Sequence, residues 1–287
     1  MLHTFTSLVI GINTTTPSRL NNFDAENRLR PRNLAHNLKP FNKSHSLLPI
    51  VSIYTILALI LSKQFNKMKL YDAQSAHTMA LRLFILERGR LSLDVESVDM
   101  DTLQNRRSEY LKINSRGELP ALVLDDGTLL TEVTALYEYF DEIATTGKSL
   151  FGSNAVERAE TRMWLRRVDL EITGPLLSWV RNDPATIDLY QGNRIPIPEA
   201  RVIEKVQINQ ALNRFNDEME GKQWLCGDRF SAADVHMYGM IKRFVHSHAP
   251  WVAATGRKNF VAYFKRMDKR EACVKSFDLF PSRLELP

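Results

Sequence analysis

The spacing of apolar residues changes character partway along this chain, and that change constrains the fold more than any other feature. Up to about residue 143, short stretches with a period of two alternate with stretches of helical spacing. Residues 69–73 (KLYDA) predict a short strand, and 76–88 place Met79, Leu83 and Leu86 on one helical face, with Ala80 and Phe84 beside them. Gly89 predicts the end of that helix. LSLDVESV at 91–98 alternates apolar and polar residues, as a half-buried strand does. A polar helical segment around 102–111 and a loop with Asn114 and Gly117 lead into an apolar run from Pro120 to Leu124. Asp126-Gly127 predicts a tight hairpin with Leu129-Leu130 returning, and Glu132 to Ile143 a helix. From 155 onward the spacing is helical throughout, over 155–181, about 198–220, 231–247 and 257–268. Pro184, Pro196, Pro198, Gly221 and Gly227 break it. The order βαβ, αββα, then helices alone predicts an α/β domain over 68–146 followed by an all-α helical bundle over 152–287.

A chain of 287 residues, 44% hydrophobic and 25% charged, can bury two ordinary cores without metal or disulfide. Its net charge of +5 raises the question of nucleic acid, and the location of the charge answers it. Residues 1–67 hold four Lys and four Arg against Asp24 and Glu26, a balance of 8 − 2 = +6, which leaves −1 for residues 68–287. The body has no basic excess to neutralise phosphates. Cys226 and Cys273, 47 positions apart and outside any CxxC or Cys/His spacing, predict neither a disulfide framework nor a zinc site.

Residues 1–67 are a separate object. The first 46 are polar, irregular and Asn-rich, a composition that predicts disorder, and 47–61 (LLPIVSIYTILALIL) form an uncharged run flanked by Lys63 and Lys67. Fifteen residues are short for a membrane span, which takes about 20, although basic flanks suit a tilted or interfacial anchor. No small-residue cleavage site precedes Met68, so a secretory signal fits poorly. The alternatives are an anchor or targeting element and a leader dispensable to a body that starts at Met68.

Gly117-Glu118-Leu119-Pro120-Ala121-Leu122, followed by Asp126-Gly127 and by Thr131-Glu132-Val133-Thr134-Ala135-Leu136-Tyr137, resembles the signature of the glutathione transferases. Leu70-Tyr71 is similar to that family's first strand, and Phe230-Ser231-Ala232-Ala233-Asp234 to its folding motif in the helical domain. The resemblance spans nearly all of 68–287. It implies a thioredoxin-like domain before the helical one, glutathione as co-substrate, no metal, a small electrophilic or hydrophobic second substrate, a cytoplasmic protein and a homodimer.

The same residues carry the expected chemistry. The resemblance implies a cis Leu119-Pro120 bond whose preceding peptide faces the cleft and pairs with glutathione as an added strand would. Glu132 and Val133 open a helix whose free N–H groups and dipole suit an anion, by resemblance the γ-glutamyl carboxylate, with Glu132 taking the ammonium. Alternatively, an acidic residue there simply complements the dipole. Val133 departs from the Ser or Thr usual in the family and removes one hydroxyl. Keeping the glutathione thiol ionised near neutral pH needs a donor to sulfur, and Ser75, just ahead of the helix at 76, is the candidate. Its other reading is a helix N-cap. Tyr71 is the rival, since some classes use a Tyr at the end of the first strand. His77 is a third candidate, expected to face solvent. Trp164, Arg167, Trp179 and Arg181 are candidates for the second-substrate pocket, the two tryptophans having the core as their alternative. Ser231 to Asp234 reads as a capping box, a folding element. Conjugation to an electrophile is the leading expectation. A glutathione-dependent reductase, dehalogenase or ether-cleaving enzyme, or a non-catalytic ligand-binding protein, are the alternatives.

Overall fold

The computed structural model describes residues 68–190, 193–253 and 256–286. The leader and its apolar run at 47–61 lie outside the described residues.

The first half builds a mixed sheet with two long helices on one face and a single helical turn on the other. β1 (Lys69–Asp72) pairs in parallel with β2 (Ser92–Ser97) and antiparallel with β3 (Ala121–Val123), which in turn pairs with β4 (Leu129–Leu130). Between β1 and β2 runs α1 (Ala76–Arg88). The stretch predicted as helical around 102–111 is a 3₁₀ turn, Gln104–Arg106, followed by one α-turn, α2 (Ser108–Leu111). α3 (Val133–Ile143) returns across the sheet and packs on α1, where Phe84 and Tyr137 stack at 4.5 Å.

The sheet has a fifth strand that periodicity did not announce. β5 (Arg283–Glu285) lies antiparallel to β2, giving the order β4-β3-β1-β2-β5. Three residues with one apolar side chain are too short a pattern to read, and only the sheet edge makes them a strand. Leu284 enters the core and Arg283 pairs with Asp94 at 2.7 Å.

The helical half comprises α4 (Ala155–Val168), α5 (Gly174–Arg181), α6 (Ala200–Glu218), α7 (Ala232–Ser247), α8 (Lys258–Met267) and the short α9 (Glu271–Lys275). Sequence spacing predicts one helix over 155–181. The structure instead separates α4 from α5 by a π-turn at Asp169–Thr173, in which the Gly174 N–H reaches back to the Asp169 carbonyl. Pro175 has no N–H to continue an α-helical ladder, so the helix is locally widened there. Ser231 caps α7 in a capping box with Asp234, as read from sequence.

α7 packs along α1 and joins the two halves. Gly239 makes this approach possible, because a Cβ there would stand 2.6 Å from the Ala80 Cα. Two buried ion pairs brace the first half, and one of them also reaches the helical half. Arg82 and Asp72 meet at 2.7 Å with both side chains 1% exposed, and the Arg82 Nε donates to the Ser276 carbonyl beyond α9. Arg88 pairs with Asp141 at 2.9 Å and donates to the Thr146 and Ala144 carbonyls, closing the end of α3. Among the described residues no helix is long and apolar enough to cross a membrane.

Candidate functional site

Strand register brings the candidate residues to one end of the sheet. Tyr71 near the end of β1 faces Ala121 at the start of β3, so the turn after β1 and the Leu119-Pro120 step before β3 are neighbours. β4 runs antiparallel to β3, with Leu130 opposite Leu122, so the chain leaves β4 for α3 at that same end. Ser75, Leu119, Pro120, Glu132 and Val133 thus share one rim, although 58 positions separate the first from the last.

Ser75 is the N-cap of α1, with extended backbone, and its Oγ accepts from the Thr78 N–H at 3.3 Å. Thr78 returns the contact, its Oγ1 accepting from the Ser75 N–H at 3.1 Å. The side chain is half-buried. A hydroxyl that accepts from the backbone keeps its own proton to donate, so capping and donation outward are compatible. Tyr71 sits differently. It is 7% exposed in a small second core with Val98, Tyr110 and Ala121, edge-on to Tyr110 at 5.7 Å, with Leu119 packed against the cluster. It supports Leu119 from beneath.

His77 departs from expectation. It is half-buried, within electrostatic reach of His236, Arg181, Asp169 and Glu118. Burial, with the neighbouring His236 and Arg181 adding to it, pushes its pKa down to about 4, so the imidazole is neutral at physiological pH. Sequence spacing could not place it, because what turns His77 inward is the packing of α7 and the α4–α5 break against the first turn of α1.

The loop before β3 is held from several sides. Leu119-Pro120 is cis. The Glu118 carbonyl accepts from the Tyr110 hydroxyl at 2.8 Å and from the Asn114 amide at 2.9 Å. The Asn105 amide donates to the Gly117 carbonyl at 2.7 Å. Gly117 has φ +62°, and a Cβ there would meet the Asn105 carbonyl at 2.8 Å, so only glycine fits.

Glu132 occupies the N-cap position of α3 with φ +67°, unusual for a residue with a side chain, and its side chain makes no cap hydrogen bond. The carboxylate is therefore exposed and the first N–H groups of α3 are not capped by a side chain. Strain of this kind, about 1–3 kcal/mol, is retained where surrounding structure enforces it, commonly at ligand sites. Val133 is 6% exposed and part of the main core, leaving only its N–H for the rim.

The wall facing this rim comes from the helical half, and sequence reasoning missed most of it. Asp169, at the start of the π-turn, accepts from the His236 Nε2 at 2.7 Å, and the Tyr137 hydroxyl stands 3.3 Å from the His236 Nδ1. With Nε2 donating to the carboxylate, Nδ1 accepts from the tyrosine, so one hydrogen-bonded row crosses from α3 to α7 to the π-turn after α4. Burial works to raise the Asp169 pKa, but the hydrogen bonds from His236 and Thr173 outweigh it and hold the carboxyl below its usual range. Arg181, the last residue of α5, lies within electrostatic reach of His77, Glu118 and Arg194. The other three candidates for the second-substrate pocket turn away. Arg167 pairs with Glu218 at 2.8 Å, and Trp164 and Trp179 are core residues, edge-on to Phe215 and Trp251.

The comparisons with known proteins agree with this architecture. Residues 70–148 match the family model for the glutathione S-transferase N-terminal domain, and residues 192–271 that for the C-terminal domain. Glutathione S-transferase GstA of Escherichia coli O157:H7 is 28% identical over 206 residues, covering 71% of this chain and 94% of the relative. Glutathione S-transferase 2 of Saccharomyces cerevisiae is 26% identical over 225 residues, covering 76% and 92%. The crystal structure of Gtt2 from Saccharomyces cerevisiae shares the fold, with a TM-score of 0.62 at 22% identity over 72% of this chain and 99% of that one. With both domain models in order, full-length relatives and a thioredoxin-like sheet followed by helices, the chain belongs to the glutathione S-transferase family of enzymes.

Proposed function

We propose that the chain conjugates glutathione to a small electrophile, with the Ser75 hydroxyl holding the reacting sulfur as thiolate. The observation that carries this reading is the position of Ser75: a half-buried hydroxyl at the N-terminus of a 13-residue helix, on the rim it shares with Leu119-Pro120 and the open end of α3. A hydroxyl donating to sulfur and a helix N-terminus behind it both favour the anion. The rivals are weaker for physical reasons. Tyr71 is packed into a core, and a neutral His77 brings no positive charge toward the sulfur. In this reading the Leu119 backbone pairs with the cysteinyl residue of glutathione, Glu132 takes the α-ammonium, and the N–H groups at Val133 take the γ-glutamyl carboxylate. A core valine in place of a hydroxyl weakens that last contact, so glutathione affinity is expected to be modest.

The thiolate then attacks the electrophilic carbon. With an aryl chloride, a C–S bond forms and chloride leaves with the C–Cl electron pair. The test is full-length chain with glutathione and chlorodinitrobenzene, alongside ultraviolet titration of the bound thiolate. Ser75→Ala is expected to lower kcat/KM about 100-fold, the scale for losing one donor to a developing anion, and to raise the pH at which thiolate absorbance appears. An unchanged rate and titration would overturn the assignment.

We further propose that the enzyme works as a homodimer. Val156, Met163 and Leu170 are exposed apolar residues at intervals of seven along α4 and the π-turn, a stripe suited to a helix from a second copy.

A further inference from the structure

The rim beside Leu119-Pro120 holds more positive charge than its own carboxylate balances. A cavity of about 540 Å³ opens there, lined by Arg106, Arg116, Glu118, Arg194, Leu111 and Asn193 among others. Glu118 already receives two arginines, Arg116 at 2.9 Å and Arg194 at 2.7 Å. Arg106 and Arg181 also act on it, so four guanidinium groups surround one carboxylate. Burial works to raise Glu118, but the hydrogen bond from Arg116 and these charges hold its carboxyl below the usual range, so it is ionised and its capacity is used.

Arg181 is the least compensated of the four. Its Nε is buried with no hydrogen-bond partner, and among the described residues no carboxylate lies within 4 Å of the guanidinium. Around it stand Tyr190, whose ring centre is 5.8 Å away and whose side chain shares a hydrogen bond with it, the more distant carboxylate of Glu118, and another cation, Arg194. A half-buried charge without a counterion is unfavourable relative to water unless an anion completes it. Arg181 also belongs to the helical half, whereas the rim that would hold glutathione belongs to the sheet. Its charge acts on both Glu118, beside the Leu119-Pro120 step, and His77, in the first turn of α1.

We infer that Arg181 is a specificity-determining residue that binds an anionic group, carboxylate in the first instance, on the electrophilic second substrate. The inference rests on the conjugation reading above and deepens it by naming the substrate class. A guanidinium with no ion-paired carboxylate offers charge-assisted N–H donors to a carboxylate, and Arg194 and Arg106 enlarge the field that draws the anion in. A neutral aryl electrophile gains nothing from this arrangement. The same chemistry could instead serve the glycyl carboxylate of glutathione, and the test separates the two sources.

The experiment measures binding of dinitrobenzoate and of neutral dinitrobenzene to the full-length chain saturated with S-methylglutathione, which fills the glutathione site and its carboxylate contacts. The benzoate is expected to bind at least tenfold more tightly. Arg181→Gln should remove that advantage, Arg181→Lys should retain part of it, and S-methylglutathione affinity should stay within twofold in both. Equal affinity of the two probes for the unmodified chain overturns the inference while leaving conjugation intact. A tenfold loss of S-methylglutathione affinity in Arg181→Gln, with the benzoate unaffected, also overturns it, because the guanidinium would then serve glutathione. Failure of the unmodified chain to bind S-methylglutathione at millimolar concentration overturns the conjugation reading itself, and with it this one.

Discussion

At the scale of single residues, the site depends on groups whose importance lies in what they hold. Arg82 donates to the Asp72 carboxylate and to the Ala73 carbonyl, fixing the turn that delivers Ser75. Burial raises the pKa of Asp72 and lowers that of Arg82, so each needs the other to stay charged. Replacing Arg82 with Met leaves a carboxylate buried without its partner, and urea denaturation should show a loss of about 3–5 kcal/mol. The double change to Arg82→Met and Asp72→Asn should recover part of it. His77 provides a pH test. Its folded pKa of about 4 lies below the unfolded value near 6.5, so between those limits the unfolded chain binds a proton that the folded one refuses. Stability from this group is complete above pH 6.5 and is lost as pH falls toward 4, by up to about 1.4 kcal/mol per unit. Melting at pH 7 and pH 5 should therefore show a larger drop for the native chain than for His77→Asn. Equal drops would mean that the imidazole is not enclosed.

At the scale of elements, the sheet edge and the face of α4 make separate predictions. β2 would be an open edge without β5, and an uncovered edge invites pairing between chains. Deleting residues 282–287 removes the Leu284 side chain from the core and the bonds from Val95 to Ser282 and from Leu286 to Leu91. Size-exclusion chromatography and thermal melts should then show aggregation and a loss of about 2–4 kcal/mol, mostly from the buried leucine and the lost ladder. Along α4 and the turn that follows, the stripe of Val156, Met163 and Leu170 predicts that Met163→Glu shifts sedimentation toward a single chain with an unchanged far-ultraviolet spectrum. Elements also show where sequence reading succeeds. The hairpin at Asp126-Gly127, the helix ended by Gly89 and the capping box at Ser231 are local, since turn geometry, a left-handed glycine and a reciprocal hydrogen bond all lie within a few residues. β5 was not legible, because it answers to β2, far away in sequence, and the π-turn at Asp169–Thr173 was hidden because helical spacing runs on through it up to Pro175.

At the scale of the whole molecule, the enzyme depends on two halves meeting closely, and one residue sets that distance. Gly239 lets α7 lie against α1, with no room for a side chain at the Ala80 backbone. Gly239→Val must push the helices apart, and should cost about 1–3 kcal/mol. It should also uncouple the row from Tyr137 through His236 to Asp169, visible as separate unfolding transitions of the two halves. A single cooperative transition at unchanged midpoint would show that the contact is not tight.

What the sequence by itself determined is the local frame: most of the strand and helix order, the capping residues, the hairpin and the near-neutral body behind a basic leader, together with the candidate residues Ser75, Leu119-Pro120 and Glu132-Val133 through their resemblance to a family signature. The elements are short-range patterns, and the candidate residues, marked by the resemblance, fall at the strand and helix ends. Only the tertiary structure decided what stands opposite. His77 faces inward, Arg181 makes no ion pair among the described residues, Arg167 turns away to Glu218, and Asp169 is held by His236. Their orientation is set by helices packed across the cleft, where the side chain that wins a position depends on distances between elements that no local spacing encodes.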